Sequence, residues 1–273
     1  MGPEPSPPKI QDHTKEPRCT LPLDTPEHCL KLCNRVEKRR SGLRAISRKH
    51  ATVLSEKGWL SQIPNALRGD VLNACLCYDL DSSQAITHGG EVTGGLFGII
   101  SGTAGVFSTF GPDGPLIHVA GPAFWFGLFP ITNGRPRIIS VIARTPCVVA
   151  HLPQASLQKV LNRKPEMWRW LNLLSLESAV LAIQALTDVL INDKERRCAA
   201  ALLRTAGCRD SGNAPTTARL TQDDLAVLSN VSRATVSVVV RRLAAQKFIS
   251  LGYKAITIHS PVQLRRLLEL RSQ

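Results

Sequence analysis

Between Gly89 and Gly134 lie 12 of the chain's 19 glycines. No other feature restricts the fold as much. A helix cannot propagate through such a stretch, because each interior glycine costs it about 0.8–1 kcal/mol relative to alanine. Short runs of apolar residues stand between the glycines and beyond them: Gly95–Ile100, Gly105–Ser108, Leu116–Val119, Arg137–Ala143 and Cys147–Leu152. Strands at such short spacing, punctuated by Gly and Pro turns, predict an all-β sandwich or barrel. Val92–Pro112 is uncharged and long enough to cross a bilayer, but it carries six glycines with several Ser and Thr. Spanning helices are more continuously apolar, so no membrane span is expected.

On either side of this region the period is helical. Leu60, Ile63, Leu67, Val71 and Leu72 predict one short helix from Trp59 to about Cys77. Ser156–Leu161 suits a short helix, and Lys164–Leu190 a long one. Leu171, Leu174, Leu181 and Leu186 fall near a stripe on the long helix, helped by Trp170, Val180 and Val189. That stripe has to be buried, either against a second copy of the chain or against the chain's own β domain. Asn192-Asp193 reads as a hinge or N-cap, Lys194–Ala206 as a helix and Cys208–Thr217 as a polar loop. Residues 1–26 are Pro-rich and read as a disordered tail; 27–57 hold basic clusters and at most a weak helix. The expected fold class is α+β. A tail (1–57) precedes a jelly-roll-like β-roll (58–163), a long dimerisation helix with hinge (164–192) and a C-terminal winged helix-turn-helix (193–273).

The last unit carries the chemistry. Thr221 can cap a helix whose first turn holds Asp223 and Asp224, suited to the positive end of the helix dipole. Asn230 stands where the chain must enter the left-handed region, which Asn tolerates. Ser232 caps a second helix, Arg233 to about Ala245, with Val236, Val239, Val240 and Leu243 on its buried side. Phe248–Ile258 reads as two short strands about Gly252, a wing. Helices of this size joined by so short a turn place the second in the major groove of double-stranded DNA. The expected DNA-contacting residues are Thr221, Ser232, Arg233, Thr235, Ser237, Val238 and Arg241. Hydroxyls and free amides at the helix start suit phosphate. Arg233 can read a guanine edge and Val238 a thymine methyl. The alternative is a winged unit that makes protein contacts.

Charge distribution agrees with DNA. The net charge is +13, yet residues 61–160 hold five Lys/Arg against five Asp/Glu. From Asp193 onward there are 14 against six. A basic module on a neutral body is the footprint of a modular nucleic-acid binder. Met1–Thr20 has no apolar h-region, so a cytoplasmic chain with reduced thiols is expected. Its eight cysteines include no CxxC pair, and His88, His118 and His151 stand singly, so no metal site is predicted. No nucleophile elbow or P-loop is present, and no enzyme is predicted.

The run Leu220–Ala226 with Val231-Ser232-Arg233-Ala234-Thr235-Val236-Ser237, ending in Phe248-Ile249-Ser250, closely resembles the DNA-binding domain of the Crp/Fnr superfamily of transcription regulators. The order β-roll, long helix, winged helix matches over about Trp59–Ile258. The resemblance implies a homodimer joined along Lys164–Leu190 on a near-palindromic operator, with RNA polymerase as a further partner. Family members commonly carry Glu and Arg where Ala234 and Val238 stand, so those base contacts do not carry over. Gly121–Leu128 with Pro136-Arg137 resembles the family's cyclic-nucleotide phosphate cassette, which makes Gly127 and Arg137 the candidate ligand-binding residues. A cyclic nucleotide is thus the implied ligand, but Leu128 replaces the usual carboxylate and Ile138 the usual Ser/Thr. An altered ligand or none is the competing expectation. Cys19, Cys29 and Cys33 do not reproduce the iron–sulfur spacing of another branch, so no cluster is expected. The rival to a regulator is a nucleotide- or redox-sensing module for some other effector.

Overall fold

A computed structural model describes residues 42–92, 94–110 and 114–269. The expectations for residues 1–41, including Cys19, Cys29 and Cys33, lie outside the described residues. Two antiparallel sheets form the roll. One has the order β1 (Arg44–Ala45), β2 (Leu76–Leu80), β9 (Cys147–Pro153), β4 (Gly95–Ser101), β7 (Trp125–Phe126). The other has the order β3 (Ala85–Thr87), β8 (Ile139–Ala143), β5 (Ala104–Ser108), β6 (Leu116–Ala120). Tyr78, Ile86, Phe97, Val106, Val141 and Val149 meet between them.

Helices cover the five-stranded sheet: α1 (Arg48–Glu56), α2 (Trp59–Gln62), α3 (Asn65–Ala74), then α4 (Leu128–Asn133) and α5 (Gln154–Arg163). Two expectations are corrected here. The helix predicted from Trp59 to Cys77 is two helices and a strand, because Pro64 holds Ile63 extended at φ −77° and ψ 136°. Cys75 and Cys77 then enter the sheet region, and β2 was not foreseen. The roll also begins before residue 58. Ser47 caps α1 through the amide of His50, and Leu54 is fully buried in the core with Trp59, Leu60 and Leu152.

The long helix α6 runs Met167–Leu190. Met167, Leu171 and Leu174 are buried on the roll. Leu176, Val180, Ile183 and Leu190 lie exposed on another side. The apolar stripe read from sequence is therefore two faces. By length and composition alone α6 is apolar enough to cross a bilayer. It nevertheless carries Asp188, which is buried against Arg204 at 2.9 Å and Arg209 at 3.1 Å.

The C-terminal unit comprises α7 (Lys194–Thr205), β10 (Thr216–Ala218), α8 (Gln222–Leu228), α9 (Arg233–Ala245), β11 (Ile249–Gly252), β12 (Ala255–Ile258) and α10 (Pro261–Glu269). Asp193 caps α7 by accepting from the Arg196 amide at 2.7 Å. The loop expected at Cys208–Thr217 ends in β10, which joins the wing to make a three-stranded sheet ordered β10-β12-β11. Helix α10 was not foreseen.

Candidate nucleic-acid interface and sensor cavity

The α8–turn–α9 geometry follows from local chemistry. Thr221 Oγ1 accepts from the Asp224 amide while the Asp224 carboxylate accepts from the Thr221 amide, a reciprocal capping box. Asn230 takes φ +50° and turns the chain. Ser232 Oγ accepts from the Thr235 amide and starts α9. Val236, Val239, Val240 and Leu243 then face the core, joined by Leu202, Leu225 and Ile258.

The opposite side of α9 is open. Ser232, Arg233, Val238 and Arg241 are exposed, and Thr235 and Ser237 are half-buried. Arg233 is held by α8: its guanidinium meets Asp223 at 2.9 Å and donates to Gln222 Oε1 at 2.6 Å. Arg241 donates back to Ser237. Thr221, half-buried, lies at the start of α8 with its hydroxyl committed to the cap. The wing tip adds Tyr253, 88% exposed, with the Lys254 ammonium 5.4 Å from its ring centre. Sequence reasoning passed over this pair, although Gly252-Tyr253-Lys254 at a two-strand turn was visible.

The second site lies between the roll and α6. A cavity of about 390 Å³ is walled by Val106, Phe124, Phe126, Leu128, Leu174 and Leu181. Gly127 and Arg137 both line it. Gly127 has φ +106°, and a Cβ there would stand 2.5 Å from the Gly95 carbonyl oxygen. This approach lets Arg137 reach in. Its guanidinium donates to the carbonyls of Gly127 at 3.4 Å and Gly95 at 3.3 Å, lies over Phe97, and has Glu91 at 4.0 Å. Burial lowers its pKa, which Glu91 partly offsets.

The chemistry of the lining does not fit a cyclic nucleotide. Leu128 is buried and apolar, Ile138 is apolar and exposed, and no carboxylate lines the cavity among the described residues. A ribose 2′-hydroxyl would be dehydrated without an acceptor of that kind. The polar group that sequence reasoning missed is His118. It is buried on β6 and lines the cavity, and its Nδ1 has no hydrogen-bond partner. Burial, and then repulsion from Arg204, push its pKa down to about 3.

Strand β6 also meets the DNA-binding unit. Val119 is packed in that unit's core, and the Ile117 carbonyl accepts from Arg204 at 3.3 Å. On the loop between β8 and β9 of the roll, Arg144 pairs with Asp224 at 2.5 Å.

Residues 196–267 match the Crp-like helix-turn-helix domain, and residues 79–164 match the cyclic nucleotide-binding domain. The chain belongs to the Crp/Fnr family of transcription regulators. This Crp/Fnr protein is 27% identical over 193 residues to the CRP-like cAMP-activated global transcriptional regulator of Mycobacterium tuberculosis, covering 69% of this chain and 86% of that one. Its fold is shared with a CRP/FNR-family regulator from Thermus thermophilus at TM-score 0.53 and 21% identity, over 72% of this chain and all of that one. FixK2 from Bradyrhizobium japonicum superposes at TM-score 0.60 and 16% identity, over 72% and 99% of the two chains. The Crp/Fnr protein is thus a DNA-binding transcription regulator with a cyclic-nucleotide-binding-type β-roll followed by a helix-turn-helix.

Proposed function

We propose that the regulator binds a near-palindromic operator as a homodimer joined along α6, under control of a signal received at the β-roll. The observation that carries the dimer is the exposed seam of α6. Leu176, Val180, Ile183 and Leu190 recur at intervals of four, three and seven, as a coiled-coil seam requires. An isologous pair would cover these side chains and set two α9 helices one helical turn of DNA apart. Arg233, Ser237, Val238 and Arg241 then read base edges, while Thr221, Ser232 and Thr235 position the unit on phosphate. The reading assigns no catalytic step, names RNA polymerase as the further partner and places the protein in the cytoplasm without a membrane anchor.

The test is selection of binding sites from random duplex DNA, with the solution mass measured on the same sample. A two-fold symmetric motif retained by a particle of twice the chain mass supports the reading. A monomer, or retention without a motif, counts against it.

A further inference from the structure

The cavity under α6 is poorly matched to an anion and well matched to something else. Its walls are Phe, Leu, Ile and Val side chains contributed by both sheets, α4 and α6. At about 390 Å³ it falls at the small end of the ~300–1,000 Å³ span of small-molecule sites. The Arg137 guanidinium already faces two backbone carbonyls, the Phe97 ring and the Glu91 carboxylate. A second negative group there would meet Glu91. The remaining polar feature is the imidazole of His118, which lines the cavity while its Nδ1 lies buried and unpartnered. A ligand hydroxyl meets that nitrogen when the ring turns, which removes the standing cost of an unpartnered polar atom. Ser175 and Ser178 of α6 line the facing wall, but Ser178 already donates to the Leu174 carbonyl.

We propose that this cavity binds an uncharged, ring-sized, largely apolar molecule whose single hydroxyl hydrogen-bonds to the imidazole of His118. This rests on the reading of the β-roll as the regulator's sensor. The apolar body fills the space between Phe124, Phe126, Leu128 and Leu181, where dispersion and dehydration favour it. The hydroxyl supplies direction, since His118 is the polar group without a partner on that wall. Strand β6 then links the ligand to the DNA-binding unit, because Val119 and the Ile117 carbonyl flank His118 in sequence and both contact that unit.

The experiment uses the full chain and the neutral fluorophore N-phenyl-1-naphthylamine. Its emission is followed on titration, then on displacement by 1-naphthol, by naphthalene and by cyclic AMP. Expected are saturable binding, displacement by 1-naphthol at about tenfold lower concentration than naphthalene, and no displacement by cyclic AMP. In His118→Phe the two naphthalenes should displace alike. Ser178→Trp, which fills the cavity from α6 and leaves His118 untouched, should abolish probe binding with the circular dichroism unchanged. Displacement by cyclic AMP at or below the 1-naphthol concentration overturns the proposal. So does equal probe binding by the folded Ser178→Trp protein. Retention of the selected operator is scored separately on the same sample, so failure of the pocket is distinguishable from failure of the regulator reading.

Discussion

The carboxylate of Asp224 serves two partners at once: one oxygen accepts from the Thr221 amide at 2.8 Å, the other from the Arg144 guanidinium at 2.5 Å. The first closes the cap of the helix that precedes α9. The second reaches from that helix to the loop between β8 and β9 of the roll. A residue that starts the helix-turn-helix is therefore also a tie to the sensor.

Cutting the tie and cutting the cap should be separable. Arg144→Gln is expected to leave the cap intact and to lower stability by under about 1 kcal/mol, since Arg144 keeps contact with solvent. Proteolysis near Ile191–Asp193 should accelerate. Asp224→Ala loses both contacts and should cost about 1 kcal/mol more, the usual worth of a cap. Chemical denaturation of the two variants gives the comparison.

Acid should act through His118. In the unfolded chain its pKa is near 6.5, and in the folded protein it is about 3. Between those values the unfolded chain holds a proton that the folded one does not. The stability is complete above about pH 6.5 and is lost as pH falls through the window, by up to about 1.4 kcal/mol per pH unit. His118→Gln should flatten the slope of unfolding free energy against pH relative to the parent. An unchanged slope would mean that His118 binds its proton equally in the folded and unfolded states.

The α6 seam gives a sharp substitution. Ile183 is exposed in the single chain, so Ile183→Glu should leave the fold untouched. In the proposed dimer it buries a carboxylate opposite its own copy. Sedimentation should show the monomer, and affinity for a two-fold site should fall by about 10²-fold or more as the second contact ceases to be intramolecular.

On α9, Arg233→Ala should weaken the selected operator by about 1–3 kcal/mol and relax the preference at one base pair. Asp223→Asn removes the ion pair that holds Arg233 on α8. It should strengthen binding to any duplex and steepen the dependence on salt.

A glycine sets the cavity wall. Gly127→Ala would place a methyl group against the Gly95 carbonyl in a left-handed conformation. Where the backbone tolerates it, a Gly→Ala exchange stabilises by about 0.4–1 kcal/mol; here a loss larger than that is expected instead, read by thermal denaturation.

How legible this was in the sequence depended on how local the causes are. The cap at Thr221, the turn at Asn230 and the start of α9 at Ser232 rest on residues two or three apart, and the structure has all three. The Gly-rich roll was legible as a β architecture. Its strands β2 and β3 were not, because their partners, β9 and β8, lie roughly 70 and 55 residues away. The placing of Arg137 and Gly127 at one cavity came only from family likeness. His118 was dismissed as a lone histidine, since nothing nearby in the chain announces that α6 and α7 close over it. The buried group of Asp188, Arg204 and Arg209 is likewise invisible until three segments meet. The described cysteines follow the bland expectation: Cys75, Cys77, Cys147, Cys198 and Cys208 are all buried, and burial raises the Cys75 thiol to about 12.

Val119 belongs to the roll by chain position and to the DNA-binding unit by packing. A motion that carries the unit off the roll uncovers apolar surface on both partners, and water must then hydrate it. Such an opening has a positive heat capacity. The balance between docked and released forms would then curve with temperature, and a regulator built this way would register warmth as well as its ligand.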